Sequence, residues 1–148
     1  MRIMTKQELL NEINRIKEQI RVKKNQLSKD EQTLIDIEDF QSRSNSCITS
    51  FSSSIAKRRK KLIDLDGFLG TVRIAARYKQ KMNDMLSGYE YRAAVNQIDG
   101  LQNSISSEKV KIKNSIVSLK DDISYLQGKL QQLQYDYNNY PEEVVANG

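Results

Sequence analysis

The sequence predicts an all-α fold, an elongated antiparallel helical hairpin packed as a coiled coil. Three observations carry that expectation. The 148 residues contain one proline, six glycines and no tryptophan, and 29% of them are charged. Such a composition suits long helices better than a sheet or a loop-rich fold. Apolar residues recur at 3-4 spacing through both halves of the chain, and glycines punctuate the middle. One domain is expected, spanning residues 1–148, with an arm over 5–65, a turn over 66–70, a central segment over 71–86, a second arm over 87–138 and a tail over 139–148.

The first arm opens on a start signal. Thr5 and Glu8 form a T-x-x-E capping box, with Met4 and Leu9 at the positions of a hydrophobic staple. One apolar column then reads Ile13, Ile20, Leu27, Leu34, Gln41, Ile48, Ile55 and Leu62. Its companion reads Leu9, Ile16, Lys23, Asp30, Ile37, Ser44, Phe51, Arg58 and Leu65. Two columns held at this spacing make a narrow seam for one facing helix.

The central segment carries Leu69, Val72, Ala76, Tyr78, Met82 and Met85 at helical spacing. Asp66-Gly67 and Gly70 break the chain before it, and Ser87-Gly88 after it. Reversal is possible at either break. Reversal over 67–70 gives arms of nearly equal length, buries more of both seams and is the expected solution. At about 1.5 Å per residue the arms would form a rod of roughly 90 Å, with Ile13 facing the region of Ile123.

The second arm has its own columns: Tyr91, Ile98, Ile105, Ile112, Leu119, Leu126 and Leu133, and Val95, Gln102, Lys109, Ile116, Ile123, Leu130 and Tyr137. Ser87 and Glu90 offer a second capping box, and Pro141 follows the expected end. Polar residues interrupt the seams at Lys23, Asp30, Gln41, Arg58, Gln102 and Lys109, as register-setting positions commonly do. The equal-arm alignment places Asp30 near Lys109, where they could pair. It also sets the serine-rich stretch 42–54 opposite residues 86–95.

Chemistry is scarce. The chain has no histidine, the commonest general base and metal ligand, and a single cysteine, Cys47. No catalytic residue, cofactor or metal is expected, and no small-molecule substrate. The N-terminus lacks the apolar core of a signal peptide and no stretch is long enough to span a membrane, so a cytoplasmic protein is expected.

Charge is concentrated. Between residues 56 and 85, nine basic residues stand against three acidic ones, a surplus of +6 where the whole chain carries +5. Lys57, Arg58, Arg59, Lys60, Lys61, Arg73 and Arg77 form a basic tip. No nucleic-acid docking motif surrounds them, so a solvated surface or an acidic protein partner is the expected reading, with weak non-specific attraction to nucleic acid.

Ile35, Phe40, Cys47, Leu101, Val110 and Val117 fall outside the seam columns, as does Val22. A second apolar surface on a hairpin points to partner helices, so these six are the candidate protein-binding residues.

The pattern resembles a known type. A long N-terminal helix, a centre reading "LSGYEYRAAV" and a long C-terminal helix are similar to the YwqH-like small helical proteins of the WXG/Esx-like superfamily. That family carries Trp-x-Gly at its central break. Leu86-Ser87-Gly88 matches its spacing and glycine, while Phe68-Leu69-Gly70 keeps an aromatic first residue. The Tyr-x-x-x-Asp/Glu export signal of related proteins is not met in the tail, where Asn139, Pro141 and Val144 lie four residues after Tyr135, Tyr137 and Tyr140. The resemblance implies a Gram-positive, non-enzymatic chaperone or adaptor for an LXG-domain toxin in type VIIb secretion. A second small helical protein would join the complex, and the chain would work in the cytoplasm or leave with its cargo. Two alternatives stay open: a generic coiled-coil scaffold, and a nucleic-acid-binding rod using residues 57–81.

Overall fold

The computed structural model describes residues 3–66 and 73–141. Three helices follow in order, α1 (Lys6–Asp66), α2 (Arg73–Ser87) and α3 (Tyr89–Asn138), with no strand among the described residues. The fold is an all-α helical hairpin in which α2 runs into α3 through a bend at Gly88. Reversal falls between Asp66 and Arg73, so Ser87-Gly88 is a bend and not the turn. The expected turn residues Phe68 and Gly70, the side chain of Arg73 and the last seven residues lie outside the described residues.

α1 starts as its capping box dictates. The Thr5 backbone N–H donates to Glu8 Oε2 at 3.0 Å, and the Glu8 N–H donates to Thr5 Oγ1 at 3.1 Å. Two of the four orphan donors of the helix start are satisfied this way. The second box does not form. Ser87 instead ends α2, and its hydroxyl donates to the Asn83 carbonyl at 2.5 Å. The first backbone bond of α3 runs from the Arg92 N–H to the Gly88 carbonyl at 3.2 Å. Glycine suits the bend, because a Cβ there would sit 2.5 Å from the Asp84 carbonyl oxygen.

Contacts divide the chain into two units, Met1–Leu34 with Lys111–Gly148, and Ile35–Val110. In the first, the seam closes tightly. Leu9, Ile13, Ile16 and Ile20 of α1 pack with Leu126 and Leu133 of α3, and Leu130, Tyr137 and Tyr140 extend the cluster. Ile16 is 0% exposed. Lys23 reaches Asp122 at 3.1 Å and Lys129 reaches Glu12 at 3.8 Å, while the Lys6 ammonium lies 5.0 Å from the centre of the Tyr137 ring. The equal-arm alignment is therefore corrected: the neighbourhood of Ile13 faces Lys129, beyond Ile123.

Asp30 is the buried polar residue of this unit. It does not pair with Lys109. Gln26 Nε2 donates to Asp30 Oδ1 at 2.8 Å and Ser115 Oγ donates to Asp30 Oδ2 at 2.6 Å. Two donors satisfy a carboxylate whose burial would otherwise be costly.

In the second unit the antiparallel pairing continues from Gln41, whose Oε1 accepts from Lys109 Nζ at 3.1 Å, to Arg59, whose guanidinium donates to the Tyr91 hydroxyl at 3.3 Å. Reversal centred on residue 68 would have set Arg59 against residues 77–78. The serine-rich stretch 42–54 accordingly lies along α3 mostly beyond the 86–95 segment, which it meets only at its end, where Phe51 stacks on Tyr91. This alignment lets Arg59 reach Tyr91 and Lys109 reach Gln41, contacts that the equal-arm register would break.

Candidate functional site: partner-binding surfaces

The seam columns set which residues are left outside. Seven-residue spacing keeps Phe40 and Cys47 on one flank of α1, next to the column of Gln41 and Ile48. Ile35 lies on the opposite flank. On α3, Leu101 occupies the flank beside the Gln102 column, and Val110 and Val117 share the other. All six candidate residues are exposed. Ile35, Phe40, Val110 and Val117 each show more than half of their surface to solvent, at 58%, 51%, 57% and 58%.

They do not make one face. In an antiparallel pair, like flanks of the two helices meet on the same side. Within the second unit, Phe40, Cys47 and Leu101 therefore share one side, while Ile35 and Val110 lie on the other. Val117 belongs to the first unit. The candidate residues thus form two sets on opposite sides of the second unit, with Val117 apart in the first.

The second side of this unit holds a feature that pattern reading missed. A groove of about 650 Å³ runs along the seam. Its floor is made by Ile48, Phe51 and Ile55 of α1 with Tyr91, Val95 and Ile98 of α3. These occupy the same heptad columns as the closed core of the first unit, yet all six are only half-buried. The Phe51 and Tyr91 rings stack across the seam with centroids 6.4 Å apart. The Arg59 guanidinium lies 5.6 Å from the Tyr91 ring centre, a cation–π contact added to its hydrogen bond. Columns interrupted by Ser44, Arg58 and Gln102, the last two of them exposed, lack the branched side chains that would fill the space. That interruption was the available signal.

The basic residues divide by role. Lys57, Arg58, Lys60, Lys61 and Arg77 are exposed, and no ion pair engages them among the described residues. Arg59 is committed to Tyr91. Lys60 and Arg59 line one end of the groove, and Asp99 lines it farther along.

Leu86 of the L-S-G match is buried at 5% exposure, where an anchoring apolar residue at a bend belongs. Among the described residues no group of three or more His, Cys, Asp or Glu could hold a metal ion. No described helix is long and apolar enough to cross a membrane. No protein-family model, curated protein or solved structure matches this chain.

Proposed function

We propose that this chain is a non-enzymatic helical adaptor that binds the helical N-terminal domain of an LXG-type toxin and assists its type VIIb secretion. It acts in the cytoplasm or leaves the cell with its cargo. One observation carries the binding half of the reading: large apolar side chains outside the seam columns, Phe40 and Leu101 among them, stand exposed. The toxin half rests on the resemblance carried by Leu86-Ser87-Gly88 and the "YEYRAAV" that follows.

Magnitudes favour helices as the partner. Fully burying one large apolar side chain contributes about 1.5–3 kcal/mol, so two central residues set affinity over several orders of magnitude. Phe40 and Leu101 lie on one side of the second unit and fit a helix laid against it.

The test is co-purification of the full chain with an LXG-type domain. Phe40→Asp combined with Leu101→Asp should abolish it and leave the helical circular dichroism unchanged. Val117→Asp, on the other flank of α3, reports whether that set contributes. Intact binding by the Phe40/Leu101 double variant sinks the reading of this side as the interface. Tight binding of a defined DNA or RNA that weakens steeply with salt would instead favour the nucleic-acid alternative, since phosphate contacts release counterions.

A further inference from the structure

The groove on the far side of the second unit is a separate site. From its lining and charge we infer that it takes one amphipathic helix from another protein, with carboxylates on the turn that meets Arg59 and Lys60. It goes beyond the flanking surface proposed above, because it uses other residues on the opposite side.

Geometry selects a helix. On α1 the lining runs from Ile48 to Ile63, about 22 Å at the rise of an α-helix. That is room for four turns of a partner presenting apolar residues at i, i+3, i+4 and i+7. Ile48, Phe51, Ile55, Val95 and Ile98 supply the apolar floor. Ile63 is 69% exposed at the basic end and gives the partner a further apolar contact. Ser52 and Ala56 line the same side of α1, and side chains this short let a third helix approach closely.

Charge selects the partner's composition and direction. Arg59 and Lys60 lie near Tyr91, whereas Asp99 lies eight residues farther along α3, about 12 Å away. A helix with carboxylates at one end matches the two cations, and the sign of the pair rejects a basic end there. A second copy of this chain is a poor occupant. It would bring its own +5 net charge, concentrated in the same basic segment, against this one.

The experiment uses the full chain and two synthetic 18-residue helical peptides with the same leucine stripe. One ends in glutamates and the other in lysines. Fluorescence anisotropy at about 150 mM salt, where long-range attraction is largely screened, reads the affinities. The acidic peptide should bind at least tenfold tighter than the basic one. Lys60→Glu should erase or invert that preference, because it reverses a cation at the groove end. Ser52→Trp, which fills the groove from an exposed position, should abolish binding of the acidic peptide.

Phe40→Asp with Leu101→Asp should leave peptide binding unchanged, which separates this site from the toxin-binding surface. Failure of toxin co-purification would leave the peptide result standing, and the reverse holds too. Equal affinity for the two peptides overturns the charge assignment. Binding retained by Ser52→Trp overturns the groove, and if that variant does not fold, the Lys60→Glu preference still decides. Complete displacement of the acidic peptide by oligothymidine, or dimerisation of the chain that Ser52→Trp abolishes, also overturns the inference.

Discussion

Ser115 of α3 donates a 2.6 Å hydrogen bond to the carboxylate of Asp30 on α1, inside the seam of the first unit. Gln26 satisfies the other carboxylate oxygen from one turn away. A buried polar layer of this kind weakens a seam and fixes its register, because sliding either helix strands a desolvated carboxylate. Ser115→Ala should therefore lower stability by about 1–3 kcal/mol in urea denaturation. Asp30→Leu with Ser115→Ala should restore or raise stability and broaden the distribution of oligomers seen by light scattering. A double variant as weak as Ser115→Ala alone, with a single species, would show that the layer does not set register.

Gly88 and Gly128 should respond to alanine with opposite signs. Nothing lies within 4 Å of a Cβ at Gly128, so Gly128→Ala should gain the usual 0.5–1 kcal/mol, roughly, of helix propensity. At Gly88 the added carbon meets the Asp84 carbonyl at 2.5 Å. Gly88→Ala must shift the bend and should lower the melting temperature. Thermal unfolding of the two variants side by side checks the sign.

Seam and flank should separate in the same way. Ile16 is fully enclosed, and Ile16→Ala should cost about 2–5 kcal/mol through lost burial and the cavity left behind. Phe40→Asp, at a half-exposed position, should change stability by no more than about 0.5 kcal/mol. A large loss at Phe40 would mean that the hairpin itself uses that side chain.

Acid should loosen the first unit in a defined window. A hydrogen bond from Arg15 holds Glu12 below its ordinary value of 4.5, with Lys129 assisting, and Arg21 does the same for Glu18. Folded carboxylates with lowered pKa values bind protons less readily than the unfolded chain does. Their contribution is complete above the ordinary value and is lost as pH falls through the lower folded values. Glu18 is solvent-exposed and Glu12 partly so, and the effect is small and screened by salt. Melting temperature should be flat on this account above about pH 5 and fall below pH 4.5. Glu12→Gln should flatten that slope, and an unchanged slope would remove Glu12 from the explanation.

Much of the fold was legible in the residues. The Thr5–Glu8 box, the two pairs of heptad columns and the breaks over 66–70 and at Ser87-Gly88 fix helices within one or two residues of α1, α2 and α3. The apolar residues outside the columns, Phe40 and Val117 among them, could be named as exposed from spacing alone. Helical periodicity is local, so sequence determines it. Alignment of the two helices is a different matter. A heptad seam repeats every seven residues, so sliding one helix by a heptad restores nearly the same apolar contacts. Polar partners and the length of the returning segment break that near-degeneracy. Only the tertiary structure could therefore decide that Asp30 meets Ser115 and not Lys109, that Ser87 bonds back to Asn83, and that Arg59 lies against Tyr91. The same alignment leaves the Phe51–Tyr91 stretch of the seam open while the Ile16 stretch closes.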